Sequence, residues 1–534
     1  MGPQSKIFLA TVLALLFTFV NAVAPIVDLA YSKYRGKDLG NGVTQWLGMR
    51  YAAPPVGQLR FMPPQDPVRS RQTKDASSWK LKCIAGSVSS KFIGKTQSED
   101  CLFINVFAPT GATTKSKFPV FVWIQGGGFN TNARPTANGT ELIQTSDLNM
   151  VVVTLNYRVS IFGFLSYGDQ MVPNIGLLDQ RKAMQWVKKY IHKFGGNPLH
   201  ITLGGGSSGG ASVAFHLTAY GGRDDRLFHA TAAESISILP TLTLEGAAYQ
   251  GNSVAAWLNC TDVDVVACLR NKTVYEIQDA NFIFPNPGGT SLPKTMWGPV
   301  VDGDLIQDVP YSSFAQGKFI RVPSIFGSTT NEGFTFVPLS VPSQSVANNF
   351  FQAEYPLLNS TQLDQITTLY SNQSTPCPSD GCLREQLSDS YGDMRFICSG
   401  INFSGLMSSW MPNQTWNYWY NVQDAVGAPV THCVDVYALF GPEYASGAPP
   451  LSYFPGGINA NITTVVQGYW ASFIRSYNPN TFRNANTSVW GPYSTAVRQR
   501  MVFDTAGQTS TQNMTQTLQD RCDYFGSIGA LVGQ

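Results

Sequence analysis

His200-Ile-Thr-Leu-Gly-Gly-Gly-Ser-Ser-Gly-Gly-Ala-Ser-Val-Ala-Phe-His-Leu-Thr-Ala219 is the stretch whose reading settles the architecture. His200 to Leu203 reads as a strand, Ala211 to Ala219 as a helix, and only glycines and serines lie at the join. A sharp strand-to-helix turn needs small residues there, because its geometry forces side chains against backbone. The helix N-terminus that follows favours negative charge on a serine at the turn. Ser207 and Ser208 each have a glycine two residues away on both sides, so the pattern alone leaves two registers for a nucleophile. The Gly-Lys-[ST] ending of a phosphate loop is absent.

Working outward, Pro119 to Ile124 and Met150 to Leu155 are short, almost wholly apolar runs. Such runs suit a parallel sheet covered on both faces. Between Gly176 and Gly195, Ala183, Trp186, Val187, Tyr190, Ile191 and Phe194 recur at three- and four-residue steps, an amphipathic helix with Lys182, Lys188, Lys189 and Lys193 on its wet side. Val322 to Phe326 and Trp416 to Val422 read as further strands, and Val465 to Arg475 as a helix. Stretches near 371–382 and 505–515, rich in Ser, Thr and Asn, read as surface loops. Alternating strands and helices predict an α/β fold with a large, mostly parallel central sheet flanked by helices. With no internal repeat, charge block or long linker, residues 23–534 read as one domain.

Of 534 residues, 43% are hydrophobic and 13% charged, and 36 Lys+Arg against 34 Asp+Glu leave a net charge of +2. That excludes a disordered chain. It also lacks the basic balance of a nucleic-acid binder. Lys6, the apolar run Ile7 to Val20 and the small residues ending at Ala22 read as a signal peptide, residues 1–22. No later run reaches 18 apolar residues, so no membrane anchor is expected once the leader is removed. Ten N-x-[ST] sequons, at Asn138, Asn259, Asn271, Asn359, Asn372, Asn402, Asn413, Asn461, Asn486 and Asn513, fit a secreted, extracellular glycoprotein, although chance supplies some of them. The nine cysteines would then lie in an oxidising compartment, and their odd number leaves at least one without an intrachain partner.

Several motifs in order along the chain resemble the type-B carboxylesterase/lipase family, cholinesterase-like α/β-hydrolases. They are Glu99-Asp-Cys-Leu-Phe-Ile-Asn-Val-Phe107, Asn156-Tyr-Arg-Val-Ser-x-Phe-Gly-Phe-Leu165, Asn174-x-Gly-Leu-x-Asp-Gln180, Phe194-Gly-Gly-Asn-Pro198 and Thr202-Leu-x-Gly-x-Ser-x-Gly-Gly210. The similarity runs from about residue 25 to Cys522 and is strongest to secreted fungal carboxylesterases. It implies hydrolysis of small-molecule esters without metal or cofactor, and it selects Ser207 as nucleophile. Two positions depart from the family: Gly206 stands where Glu is usual, and Ser208 where Ala is usual. The missing Glu removes a buried charge close to the site.

A serine nucleophile needs a base, and the base needs an orienting acid. Of five histidines, His432 in Val430-Thr-His-Cys-Val-Asp435 falls where the family places its catalytic histidine; His192, His200, His216 and His229 read as packed or exposed. Phe326-Gly-Ser-Thr-Thr-Asn-Glu-Gly333 resembles the acid loop and makes Glu332 the acid, with Asp435 as runner-up. The order Ser207, Glu332, His432 is that of the α/β-hydrolases. By the same resemblance, backbone N–H groups of Gly127, Gly128 and Ser208 form an oxyanion hole, Gln125 contributes no side-chain donor, and Ser235 is a candidate partner of the acid. The family pattern pairs Cys83 with Cys101, Cys260 with Cys268 and Cys398 with Cys522; Cys377 with Cys382 is then the remaining pair and Cys433 is left over. The Cys83–Cys101 loop is short for a lipase flap, which favours an esterase over an interfacial lipase or sterol esterase. A non-catalytic, cholinesterase-like binding module is the alternative of another class, and retention of all three candidate residues speaks against it.

Overall fold

The computed structural model describes residues 25–86, 89–261, 264–371 and 383–534. The leader reading, the Cys377–Cys382 pair and Asn372 lie outside the described residues.

Eleven strands form the central sheet. In chain order they are β1 (Lys37–Asp38), β2 (Val43–Arg50), β3 (Phe103–Pro109), β4 (Phe118–Ile124), β5 (Val151–Leu155), β6 (Gly196–Gly206), β7 (Ala230–Glu234), β8 (Ser324–Thr329), β9 (Thr415–Asn421), β10 (Gln499–Asp504) and β11 (Gln508–Asn513). Their spatial order is β1-β2-β3-β5-β4-β6-β7-β8-β9-β10-β11. From β5 through β10 every neighbouring pair is parallel. The pairs at either end, including β10 with β11, are antiparallel. The stretch read as a loop near 505–515 therefore carries an edge strand. Its polar residues are mostly exposed, so it never buries the apolar face that would have marked it as a strand.

Alternation explains why β4 is apolar throughout. Val120, Val122 and Ile124 enter one core together with Ala183, Trp186 and Val187 of α1 (Ile175–Tyr190). Phe121 and Trp123 enter the opposite core, with Tyr469, Trp470 and Phe473 of a helix at Ala460–Ser476. Strand β6 runs three residues beyond Leu203 into Gly204–Gly206. Sheet packing demands glycine there: a Cβ on Gly204 would lie 2.4 Å from the Phe121 ring. Helix α2 (Ser208–Gly222) starts three residues before Ala211, directly on the serine pair.

Motif residues away from the turn tie these layers together. Arg158 pairs with Asp179 inside the core at 2.7 Å. Gln180 donates to Ser212 on α2 and bonds to His216, fixing α1 against α2. Disulfides join Cys83 to Cys101, Cys260 to Cys268 and Cys398 to Cys522, and Cys433 is a buried free thiol.

Candidate active site

Ser207 is the single residue between β6 and α2, with φ 59° and ψ −125°. A non-glycine residue with positive φ costs on the order of 1–3 kcal/mol and persists only where its surroundings enforce it. Here three hydrogen bonds do so. Ser207 N–H donates to the Glu234 carbonyl at 3.0 Å, and the Ser207 carbonyl accepts from Ala211 and Ser237 N–H groups at 2.9 and 3.2 Å. The flanking glycines make the turn sterically feasible, since a Cβ on Gly209 would sit 2.1 Å from the Ile124 carbonyl oxygen.

The turn after β4 faces this elbow. Gly127 and Gly128 have φ of 120° and 61°, and a Cβ on Gly127 would lie 2.2 Å from the Thr131 carbonyl oxygen. Asn130, which sequence reasoning missed, holds the turn in place. Its Nδ2 donates to the carbonyls of Gly128 and Trp297 at 2.5 and 2.7 Å, and its Oδ1 accepts from the Trp297 N–H at 3.1 Å. The N–H groups of Gly127 and Gly128 donate no hydrogen bond among the described residues. Ser208 opens α2, where first-turn N–H groups have no intrahelical acceptor. Gln125 Nε2 donates to Asn132 Oδ1 at 3.1 Å.

His432 and Glu332 lie 100 residues apart yet form one unit: Nδ1 bonds to Oε2 at 2.5 Å. The other carboxylate oxygen, Oε1, accepts from the Thr329 N–H at 2.7 Å. Their loops are laced together, with Asn331 N–H donating to the Val430 carbonyl and Val430 N–H to the Asn331 side chain, both at 2.9 Å. The imidazole packs between Phe336 and Phe396, at centroid distances of 5.1 and 4.5 Å. Cys433 Sγ lies 3.5 Å from Nε2, the nitrogen that the Glu332 bond leaves open.

Asp435 has a different partner, the Tyr418 hydroxyl at 2.5 Å. Ser235 does not reach the acid: its N–H donates to the Gly327 carbonyl, and its hydroxyl has no partner among the described residues. His200, His216 and His229 are engaged with Ile474, Gln180 and Ile201. At Gly206, the space next to the missing Cβ is filled by Val436, Cys433 and Trp123 at 3.3–3.4 Å.

Ser207, His432, Gly126, Gly127 and Gly128 line one cavity of about 380 Å³, with Ile283, Trp297 and Phe336 on its apolar walls. The carboxylesterase family profile matches residues 23–525. The chain belongs to the carboxylesterase family. It is 29% identical to the mouse (Mus musculus) pyrethroid hydrolase Ces2a over 86% of this chain and 85% of that one. It is also 29% identical to acetylcholinesterase of Bungarus fasciatus, over 88% and 80%. The crystal structure of Aspergillus niger EstA superposes with a TM-score of 0.90 at 37% identity, covering 96% of this chain and 99% of that one. The protein is thus a carboxylic-ester hydrolase with the α/β-hydrolase fold of this family. No described helix is long and apolar enough to cross a membrane.

Proposed function

We propose that this carboxylesterase cleaves esters by two-step acyl transfer, with Ser207 as nucleophile, His432 as base and Glu332 as the acid that orients it. The observation that carries the reading is the His432–Glu332 hydrogen bond beside a cavity whose wall also holds the strained Ser207 turn. His432 Nε2 takes the hydroxyl proton as Ser207 Oγ attacks the ester carbonyl. Glu332, which holds Nδ1, stabilises the imidazolium that forms. Negative charge develops on the carbonyl oxygen, and the N–H groups of Gly127, Gly128 and Ser208 receive it. The imidazolium returns its proton to the leaving alcohol. Water, activated by the same imidazole, then releases the acid from the acyl-serine.

Ser207→Ala removes the nucleophile while leaving the cavity intact. The expected result is loss of ester hydrolysis and of organophosphonate labelling, with unchanged thermal unfolding. Wild-type-like turnover by that variant overturns the reading.

The finer reading is of a secreted glycoprotein esterase. Residues 1–22 support a leader, and three disulfides fit an oxidising compartment. The short Cys83–Cys101 loop supports a preference for soluble esters over emulsified triglyceride, which parallel assays on the two substrate forms test. Asn259, Asn271, Asn359, Asn413, Asn461, Asn486 and Asn513 are exposed. Asn138 and Asn402 are half-buried, and Asn402 Nδ2 donates to Tyr311 and Cys522, so glycan mapping should find Asn402 empty.

A further inference from the structure

Position 206 lacks the family's carboxylate, but the neighbouring strand brings another. In the β6/β7 register Gly206 stands opposite Glu234, whose carbonyl accepts the Ser207 N–H. The Glu234 side chain is 1% exposed, and neither carboxyl oxygen has a hydrogen-bond partner among the described residues. The Trp470 indole N–H bears on it without closing a hydrogen bond. An ionised carboxylate in such a place would carry an uncompensated desolvation cost.

The surroundings add charge of the wrong sign. Asp435, on the helix after the His432 loop, is the strongest charge acting on Glu234. It is 3% exposed, and the hydrogen bond from Tyr418 helps to keep it ionisable. Tyr418 and Tyr420 on β9 and the Cys433 thiol also face the pair, and all three are held protonated by burial. Arg134 is the cation that bears on both carboxyls. It forms no ion pair with either among the described residues and instead donates to the Cys433 carbonyl at 3.0 Å. Glu332 and His432 complete the set around Asp435. Two buried carboxyls without a paired cation each disfavour ionisation of the other. Burial and the Asp435 charge push Glu234 well above the carboxylate range, while Asp435 is pushed only to about 6. Asp435 accepts from the Tyr418 hydroxyl and the Val436 N–H, whereas Glu234 accepts from nothing among the described residues, so the geometry favours Glu234 as the protonated carboxyl.

We propose that Glu234 is a positioning residue that serves this ester-hydrolase site in its uncharged form, backing the nucleophile turn without placing a further anion behind the developing oxyanion. Its loss of a proton at alkaline pH adds that anion and weakens the transition state. The inference rests on Ser207, Glu332 and His432 acting as read above.

The test is the pH profile of kcat/KM for wild type, Glu234→Gln and Asp435→Asn, with thermal unfolding measured beside it. Gln reproduces the neutral carboxyl but cannot ionise. The alkaline limb should therefore extend to higher pH in Glu234→Gln, while the acid limb keeps its position. In Asp435→Asn the main charge acting on Glu234 is gone, so the alkaline limb should move to lower pH. A carbonyl band of a protonated acid at pH 7, present in the infrared spectrum of wild type and lost in Glu234→Gln, reads the same proton without assaying activity. An unmoved alkaline limb, an acid limb displaced downward in Glu234→Gln or a missing band overturns the proposal. Failure of the triad reading shows elsewhere, as phosphonate labelling that survives Ser207→Ala.

Discussion

Glu332 and Glu234 are equally buried, each 1% exposed, and each lies next to His432 or to the Ser207 turn. Glu332 accepts a backbone N–H and the His432 Nδ1–H. Glu234 accepts nothing and faces Asp435. Burial disfavours charge at both positions. Hydrogen-bond donors offset such a cost, and Glu332 has two partners where Glu234 has none among the described residues. Two equally buried glutamates thus differ in the partners the fold gives them.

The comparison is broken most severely at Glu332. Glu332→Gln keeps the size of the side chain, but its amide can present a donor to Nδ1 and so hold the wrong tautomer. We expect kcat to fall by about 10³–10⁴-fold. KM should change little, because the cavity wall is untouched. A loss below about tenfold, measured by steady-state kinetics on a soluble ester, would place the orienting charge elsewhere, with Asp435 the first alternative.

Cys433 sharpens the contrast with a smaller effect. Its thiol touches His432 Nε2 and fills space beside Gly206, yet burial pushes it upward, away from the thiolate. A neutral thiol offers no nucleophile and little base. Cys433→Ala should therefore lower kcat/KM by no more than about threefold through looser packing. It should also leave phosphonate labelling of Ser207 intact. A loss above about 100-fold would make the thiol part of the chemistry.

How much of this was legible beforehand follows from where the information resides. The apolar runs at β4 and β5 could be read directly, because strands covered on both faces alternate nothing. The extension of β6 through Gly204–Gly206 could not, because glycine carries no strand signal and its need arises from the Phe121 ring on the next strand. Ser207, Glu332 and His432 were reached through motifs of the family resemblance; spacing alone left the Ser207/Ser208 register open. Asn130 had no signal at all, since its partner Trp297 is 167 residues away. Glu234 was hidden for a related reason. Its importance depends on which residue of β7 falls opposite Gly206, and strand register is a property of the assembled sheet.

A half-buried carboxyl, away from the cavity, extends the comparison to stability. Glu141 is pushed up to about 7 by desolvation, with the Gln467 side chain opposing the rise and the Glu443 charge adding to it. Its folded-state affinity for a proton exceeds that of the unfolded chain. The folded state accordingly binds more protons between about pH 4.5 and 7, and stability falls as pH rises through that window. Glu141→Gln keeps the shape and removes the titration. The variant should match wild type in melting temperature near pH 4.5 and exceed it by a growing margin up to pH 8, with esterase activity at neutral pH retained. Calorimetry across that range reads the sign directly: a variant less stable at pH 8 than at pH 5, relative to wild type, would mean that Glu141 is better solvated or better paired than its surroundings indicate. Glu141 and Glu234 thus differ in degree: Glu141 is half-buried and pushed up to about 7, whereas Glu234 is fully buried, lacks a partner among the described residues and is pushed well above the carboxylate range.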